Sequence, residues 1–167
     1  MSQPKNAKRI RPSMPDYGIT DEATDGMLTW DWLDKQMEQS RNYWVCTTRK
    51  DGRPHVTPVW GVWLNNTLYF STGKTSVKYR NIKRDNRVIV HLESGDDTVI
   101  IEGKLVETDT ADSHRQPIVQ AYQKKYKFNP AEGDSDDGIW YELRPDKIMT
   151  WLESDFVNSV AYWVFDV

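Results

Sequence analysis

Gly73-Lys74-Thr75-Ser76 is the segment of this sequence whose residue types and spacing come nearest to a chemical motif. It follows an apolar, strand-like run and precedes a charged, helix-like one, as the end of a nucleotide-binding loop does. Wrapping a triphosphate needs another glycine five positions before Gly73, and Leu68 stands there, so an ATPase-type loop is excluded. Simpler chemistry remains. The hydroxyls of Thr75 and Ser76, the ammonium groups of Lys74 and Lys78, and the first amides of the following helix all suit an anionic phosphate. On spacing alone the segment reads equally as an anion site and as an ordinary helix cap beside solvated lysines.

Other constellations carry less. Asp134, Asp136 and Asp137 precede Gly138, but a calcium loop would place its glycine one position later and a bidentate acid where Pro145 stands. His55, His91 and His114 lack the i, i+4 spacing of a helical metal pair, and His91 alternates into an apolar strand. No Gly-x-Ser-x-Gly elbow occurs, and Cys46 lies in a strand without a local activating group. Neither a catalytic side chain nor a metal site is expected.

The elements that must position these residues are limited by composition. The 167 residues make one domain, with 22 Lys and Arg against 25 Asp and Glu for a net charge of -3. Residues 1–15 carry Lys5, Lys8, Arg9 and Arg11 and no acid, a charge of +4, so the remainder holds -3 - 4 = -7. That acidic body argues against nucleic acid as a partner. The mean hydropathy is -0.75, yet eight Trp, eight Tyr and four Phe supply an aromatic core. The single cysteine excludes an internal disulfide and paired-thiolate zinc sites. With no bilayer-length apolar run and no apolar signal segment, a cytoplasmic protein without membrane contact is expected.

Residues 1–26 show no period and read as a basic N-terminal arm, leaving 27–167 as the domain. Thr29 caps a predicted helix over 29–40, with Trp30, Leu33 and Met37 on one face. Alternation then predicts strands over 43–48, 54–63 and 67–72, turning at Asp51-Gly52 and Asn65-Asn66. A short helix over 77–84, strands over 87–92 and 98–106, and a helix starting near Pro117 follow. Two last strands, 139–143 and 147–152, are separated by Arg144-Pro145-Asp146. The pattern predicts a mainly β fold, an antiparallel barrel with helical insertions.

Several segments carry a further signal in combination. These are Gly52-Arg53-Pro54-His55-Val56-Thr57-Pro58-Val59-Trp60, Leu68-Tyr69-Phe70-Ser71-Thr72, Ser76-Val77-Lys78-Tyr79-Arg80-Asn81, and the run from Val88 to Gly103 with His91-Leu92-Glu93-Ser94-Gly95-Asp96-Asp97. In this order they resemble the pyridoxamine 5′-phosphate oxidase-like split-barrel family, and most closely its flavin- and deazaflavin-dependent oxidoreductase branch. The resemblance implies a six-stranded antiparallel split barrel that binds FMN, as a homodimer with the cofactor at the subunit interface.

By position, the resemblance implies that Val56, Thr57, Pro58, Val59 and Trp60 line the isoalloxazine edge. Ser71 and Thr72 would meet the ring and ribityl chain, and Ser76 and Lys78 would hold the phosphate, with Lys74 adding positive charge. Thr57 and Val77 replace basic residues of relatives, and Ala161-Tyr162-Trp163 replaces a Thr-Arg-Trp run. These departures point away from vitamin B6 phosphate oxidation and towards another small-molecule substrate. The deazaflavin coenzyme F-420 is the alternative cofactor, since its oligoglutamate tail wants basic surface such as Lys74, Arg80 and Arg53. A module that carries flavin, haem or tetrapyrrole without turnover is the alternative function.

Overall fold

The computed structural model describes residues 2–20, 24–108, 112–129 and 138–166. The acidic segment before Gly138, and with it the calcium-loop residues, lies outside them. Nine strands among the described residues form one antiparallel sheet, so the architecture is mainly β as expected. They are β1 Ala7–Ile10, β2 Tyr43–Thr48, β3 Pro54–Val59, β4 Gly61–Leu64, β5 Thr67–Gly73, β6 Arg87–His91, β7 Asp97–Glu107, β8 Gly138–Leu152 and β9 Ala161–Phe165. The helices are α1 Trp30–Gln39, α2 Val77–Arg84, α3 Asp112–Tyr126 and the short α4 Phe156–Ser159. None of the described helices is long and apolar enough to cross a membrane.

The strand order is β1-β9-β8-β7-β6-β2-β3, while β5 pairs with β8 and β4 with β5. β8 thus serves two sheets' worth of neighbours. Its first residues bond to β5 (Ser71↔Trp140), its last to β9 (Ile148↔Trp163), and most of its length to β7. Trp163, Tyr43, Tyr141, Phe70, Leu33, Met37 and Ile101 fill the space this curvature encloses and are fully buried.

Local rules account for most elements. The Thr29 hydroxyl accepts from the Trp32 N–H and caps α1, whose Trp30, Leu33 and Met37 face the core. β2 buries Tyr43, Val45 and Thr47 and turns Trp44 and Cys46 outward. Asn65 and Asn66, at φ of 52° and 62°, make the tight turn between β4 and β5. Within the N-terminal arm, Ala7–Ile10 joins the edge of the sheet along β9.

Three expectations need correction. The run 54–63 is two strands, because the chain leaves β2 at Trp60 and pairs onward with β5. α3 starts at Asp112, so Pro117 lies inside it; the ring is exposed, and the carbonyl it leaves unbonded can be hydrated. The two last strands are one continuous β8. Arg144-Pro145-Asp146 does not turn: the register slips from Glu102↔Lys147 to Gly103↔Pro145, and Asp146 bulges out. A bulge tolerates a proline that cannot donate to the ladder.

Gly103 makes this bulge possible. A Cβ there would lie 2.3 Å from the Arg144 carbonyl oxygen and 3.0 Å from Pro145 Cα. Gly103→Ala is expected to lower the stability to urea by roughly 2–3 kcal/mol through overpacking. An unchanged unfolding midpoint would show that the bulge yields without cost.

Candidate functional site

β3 ends its side of the sheet and bonds only to β2. The Arg49 N–H donates to the Arg53 carbonyl at 2.9 Å, which fixes the hydrogen-bonded register of the hairpin. Since bonded and non-bonded pairs alternate, His55, Thr57 and Val59 bond to β2, while Pro54, Val56 and Pro58 face the open edge. Two of those three are prolines with no N–H to offer. The Val56 amide is therefore the one β3 donor aimed away from the sheet. The prolines also block that edge against pairing with a further strand.

Side chains alternate across the same strand. Val56 and Pro58 are exposed on the outer face, Thr57 is half-buried on the inner one, and Val59 is buried in the core. The five residues of the expected cofactor strand hence do not present one surface, and Val59, buried and with its backbone bonded to β2, faces none of it. Thr57 meets Lys78, whose Nζ donates to the Thr57 hydroxyl at 3.4 Å across the gap between α2 and β3. Partial burial holds the Lys78 ammonium below the usual lysine range.

Ser76 caps α2. Its hydroxyl accepts from the Tyr79 N–H at 3.0 Å and lies 3.0 Å from the Thr72 hydroxyl. Thr72, Ser76, Thr57 and Lys78 thus converge from β5, α2 and β3 on the first turn of an eight-residue helix, whose leading amides favour an anion. Lys74 is exposed in the turn just before, and Ser71 is half-buried on β5 opposite Trp140.

Behind this corner runs a chain that sequence reasoning did not assemble. Asn81 Nδ2 donates to the Thr47 hydroxyl at 3.0 Å, and Thr47 lies 3.4 Å from His55 Nδ1. Burial, then the charges of Arg49 and Lys78, hold His55 below its usual range. Beside it a cleft of about 760 Å³ opens between the β2–β3 turn and α2, lined by Arg49, Lys50, Arg53, Arg80 and Arg84 with Asp51 as the only acid. Asp51 is already paired with Arg53 at 2.7 Å. Arg80 donates to the Thr75 carbonyl at 2.6 Å and Arg84 to the Thr48 carbonyl, which anchors both side chains at the cleft they line. Arg80 and Arg53 were legible as basic surface and Arg84 as a charged residue of the short surface helix; Arg49 and Lys50 were not.

The far end of β3 is held differently. The Tyr126 hydroxyl accepts from the Gly61 N–H at 2.9 Å and has the carbonyls of Arg41 (2.6 Å) and Gly61 (2.8 Å) as acceptors for its hydrogen. Lys125 Nζ donates to the Tyr43 hydroxyl at 2.9 Å and to the Gly61 carbonyl at 3.0 Å. Burial first, and then Arg41, push the Lys125 ammonium down to about 8. Cys46 is half-buried, with its thiol raised by burial and no sign of activation. No metal-binding group of His, Cys, Asp and Glu occurs among the described residues.

Comparison with known proteins adds a family. The model described as pyridoxamine 5′-phosphate oxidase matches residues 30–152, most of the chain. The chain belongs to the pyridoxamine 5′-phosphate oxidase family. Similar solved structures include a conserved hypothetical protein of Mycobacterium tuberculosis, at 19% identity and a TM-score of 0.68 over 80% of this chain and 90% of that one. An F420 reductase aligns at 22% identity and 0.54 over 69% and 94%. The heme storage protein of Vibrio cholerae aligns at 11% and 0.59 over 71% and 90%. Likeness at these identities concerns the fold. No curated protein matches in sequence. Within this pyridoxamine 5′-phosphate oxidase fold, Lys78 brings a cation from α2 to the Thr57 hydroxyl.

The pinned Lys125 has a pH signature. Its folded pKa, about 8, lies below the ordinary value of 10.5. Between these the unfolded chain binds more protons, so this group's penalty is full below about pH 8 and is relieved as pH rises towards 10.5. The stability of the wild type relative to Lys125→Met is expected to increase between pH 7 and pH 10 in urea unfolding. A constant difference would show that Lys125 titrates normally.

Proposed function

We propose that this protein is an oxidoreductase that binds a phosphate-bearing flavin-type cofactor along the open edge of β3. The observation that carries this reading is the convergence of Thr72, Ser76, Thr57 and Lys78 at the start of α2, beside a strand edge with a single free amide. The donor set fits the group: two hydroxyl-rich elements, a cation and helix amides for a phosphate, and the Val56 N–H for an electronegative ring atom. When bound, such a cofactor supplies hydride or electron transfer to a small molecule. The chain's own work is to orient the ring against β3, neutralise the phosphate and exclude water with exposed apolar side chains. No side chain here is placed to move a proton in that transfer.

FMN, with one phosphate, is satisfied by the corner alone. The basic cleft favours a second reading, the deazaflavin coenzyme F-420, whose oligoglutamate tail would meet Arg49, Lys50 and Arg80. Titration of both cofactors followed by fluorescence tests the reading. Lys78→Ala is expected to weaken whichever binds by roughly 1.5–3 kcal/mol, whereas Arg49→Ser weakens F-420 and leaves FMN unchanged. Unaltered affinity in folded Lys78→Ala would remove the phosphate corner from the reading. If the protein holds haem but neither cofactor, it is a carrier.

The same reading includes a homodimer. The outer sheet face aligns Pro58, Trp44, His91, Ile100 and Met149 in one row and Val56, Cys46 and Ile89 in the next. Trp44 stacks on His91 with ring planes 3° apart. Val56 is 48% and Ile89 41% exposed, an apolar strip next to the cofactor edge that a second copy would cover. Ile89→Glu is expected to give a monomer in light scattering and lose cofactor affinity with it. A dimer of undiminished affinity would place the interface elsewhere.

A further inference from the structure

The joint after β3 carries an aromatic surface that the phosphate corner does not use. Trp60 stacks on Tyr126, with ring centroids 4.6 Å apart and planes within 6°. Phe128 stands edge-on to Trp60 at 6.4 Å and is 47% exposed. Tyr126 covers one face of Trp60, so its 40% exposure belongs to the other face and the ring edge. The Arg41 guanidinium carbon lies 5.6 Å from the Trp60 centroid and 5.9 Å from that of Tyr126. Nearly equal distances put it beside the stack and leave the outer indole face open. Arg41 is exposed and has no carboxylate partner among the described residues.

A flat aromatic face with a forked cation at its edge matches one ligand chemistry. The indole takes a conjugated ring by stacking, and the guanidinium takes a carboxylate in the plane of that ring. The Lys125 ammonium, 5.3 Å from the Tyr126 centroid, adds positive field without being available itself, since Tyr43 and the Gly61 carbonyl hold it. Trp60 lies three residues beyond Thr57, roughly 10 Å along an extended strand, so this surface lies just past the C-terminal end of β3 and the Lys78 corner beside its middle.

We propose that Trp60 and Arg41 form the substrate subsite, for a planar conjugated carboxylate whose ring lies on the open face of Trp60 and whose carboxylate pairs with Arg41. The assignment of this ligand as substrate rests on the oxidoreductase reading; the binding site itself does not.

The probes are 2-naphthoate and its neutral counterpart 2-naphthamide, titrated calorimetrically into the full chain with and without saturating FMN. The wild type is expected to prefer the carboxylate by about tenfold or more. Arg41→Gln abolishes that preference while leaving 2-naphthamide binding intact, and Arg41→Lys restores part of it. Trp60→Leu weakens both probes, with Trp60→Phe retaining more of each. A wild type that binds neither probe, or does not discriminate between them, overturns the subsite, as does an Arg41→Gln protein that keeps the preference. Arg41-dependent discrimination in a protein that takes up neither FMN nor F-420 would leave the subsite standing and end the oxidoreductase reading; cofactor uptake without discrimination does the reverse.

Discussion

The departure of the chain from the β2 ladder at Trp60 is the constraint on which the rest of the site depends. After Val59, the last β3 residue paired with β2, the chain changes partner and pairs with β5 through β4. Gly61 begins β4, where a Cβ would lie 2.8 Å from the Tyr69 carbonyl oxygen. Only glycine allows the two backbones to approach so closely. The peptide groups freed at this corner must find partners, and α3 supplies them from Tyr126 and Lys125. α3 is thereby the clamp that keeps the barrel split.

The clamp is polar and largely removed from water, so it specifies position more than it stabilises. A buried ammonium pays desolvation, which is why Lys125 is shifted downward, and its hydrogen bonds to Tyr43 and Gly61 offset that cost only in part. Tyr43 in turn donates to the Met37 carbonyl at 2.5 Å, near the end of α1. One connected set of hydrogen bonds consequently joins α1, β2, β4 and α3. An apolar substitute could fill the volume, but it would not fix the corner to a particular peptide group.

Sequence and structure agree where the governing interaction is local. Thr29 names the start of α1, the asparagine pair names the β4–β5 turn, and Ser76 with its following cations marks α2 over Val77–Arg84. The grouping at the start of α2 was legible because Lys74, Thr75, Ser76 and Lys78 lie within five positions. What was not legible depends on distant partners. Pro145 reads as a turn until Gly103, on β7, is seen to accept it into a bulge. The break at Trp60 is marked in the run 54–63 only by Gly61, and its cause is a change of partner from β2 to β5. Arg49 and Arg84 each look like solvated surface until the hairpin and α2 face one another.

The charge distribution turns these pieces into a direction of approach. Outside residues 1–15 the chain carries a net charge of -7, which disfavours anions generally. Arg49, Lys50, Arg53, Arg80 and Arg84 reverse that sign locally, along a cleft beside the first turn of α2. Asp51 and Arg53 neutralise each other at the rim, so the net positive charge lies further in, towards α2. The protein therefore does not need a tight pocket to select its ligand end. On the proposed reading, this basic strip attracts the anionic end of the ligand towards the start of α2, and the body of the ligand lies along β3, whose prolines leave it a single amide. Selection by field acts first and selection by shape second, and increasing salt weakens the former while leaving the latter intact.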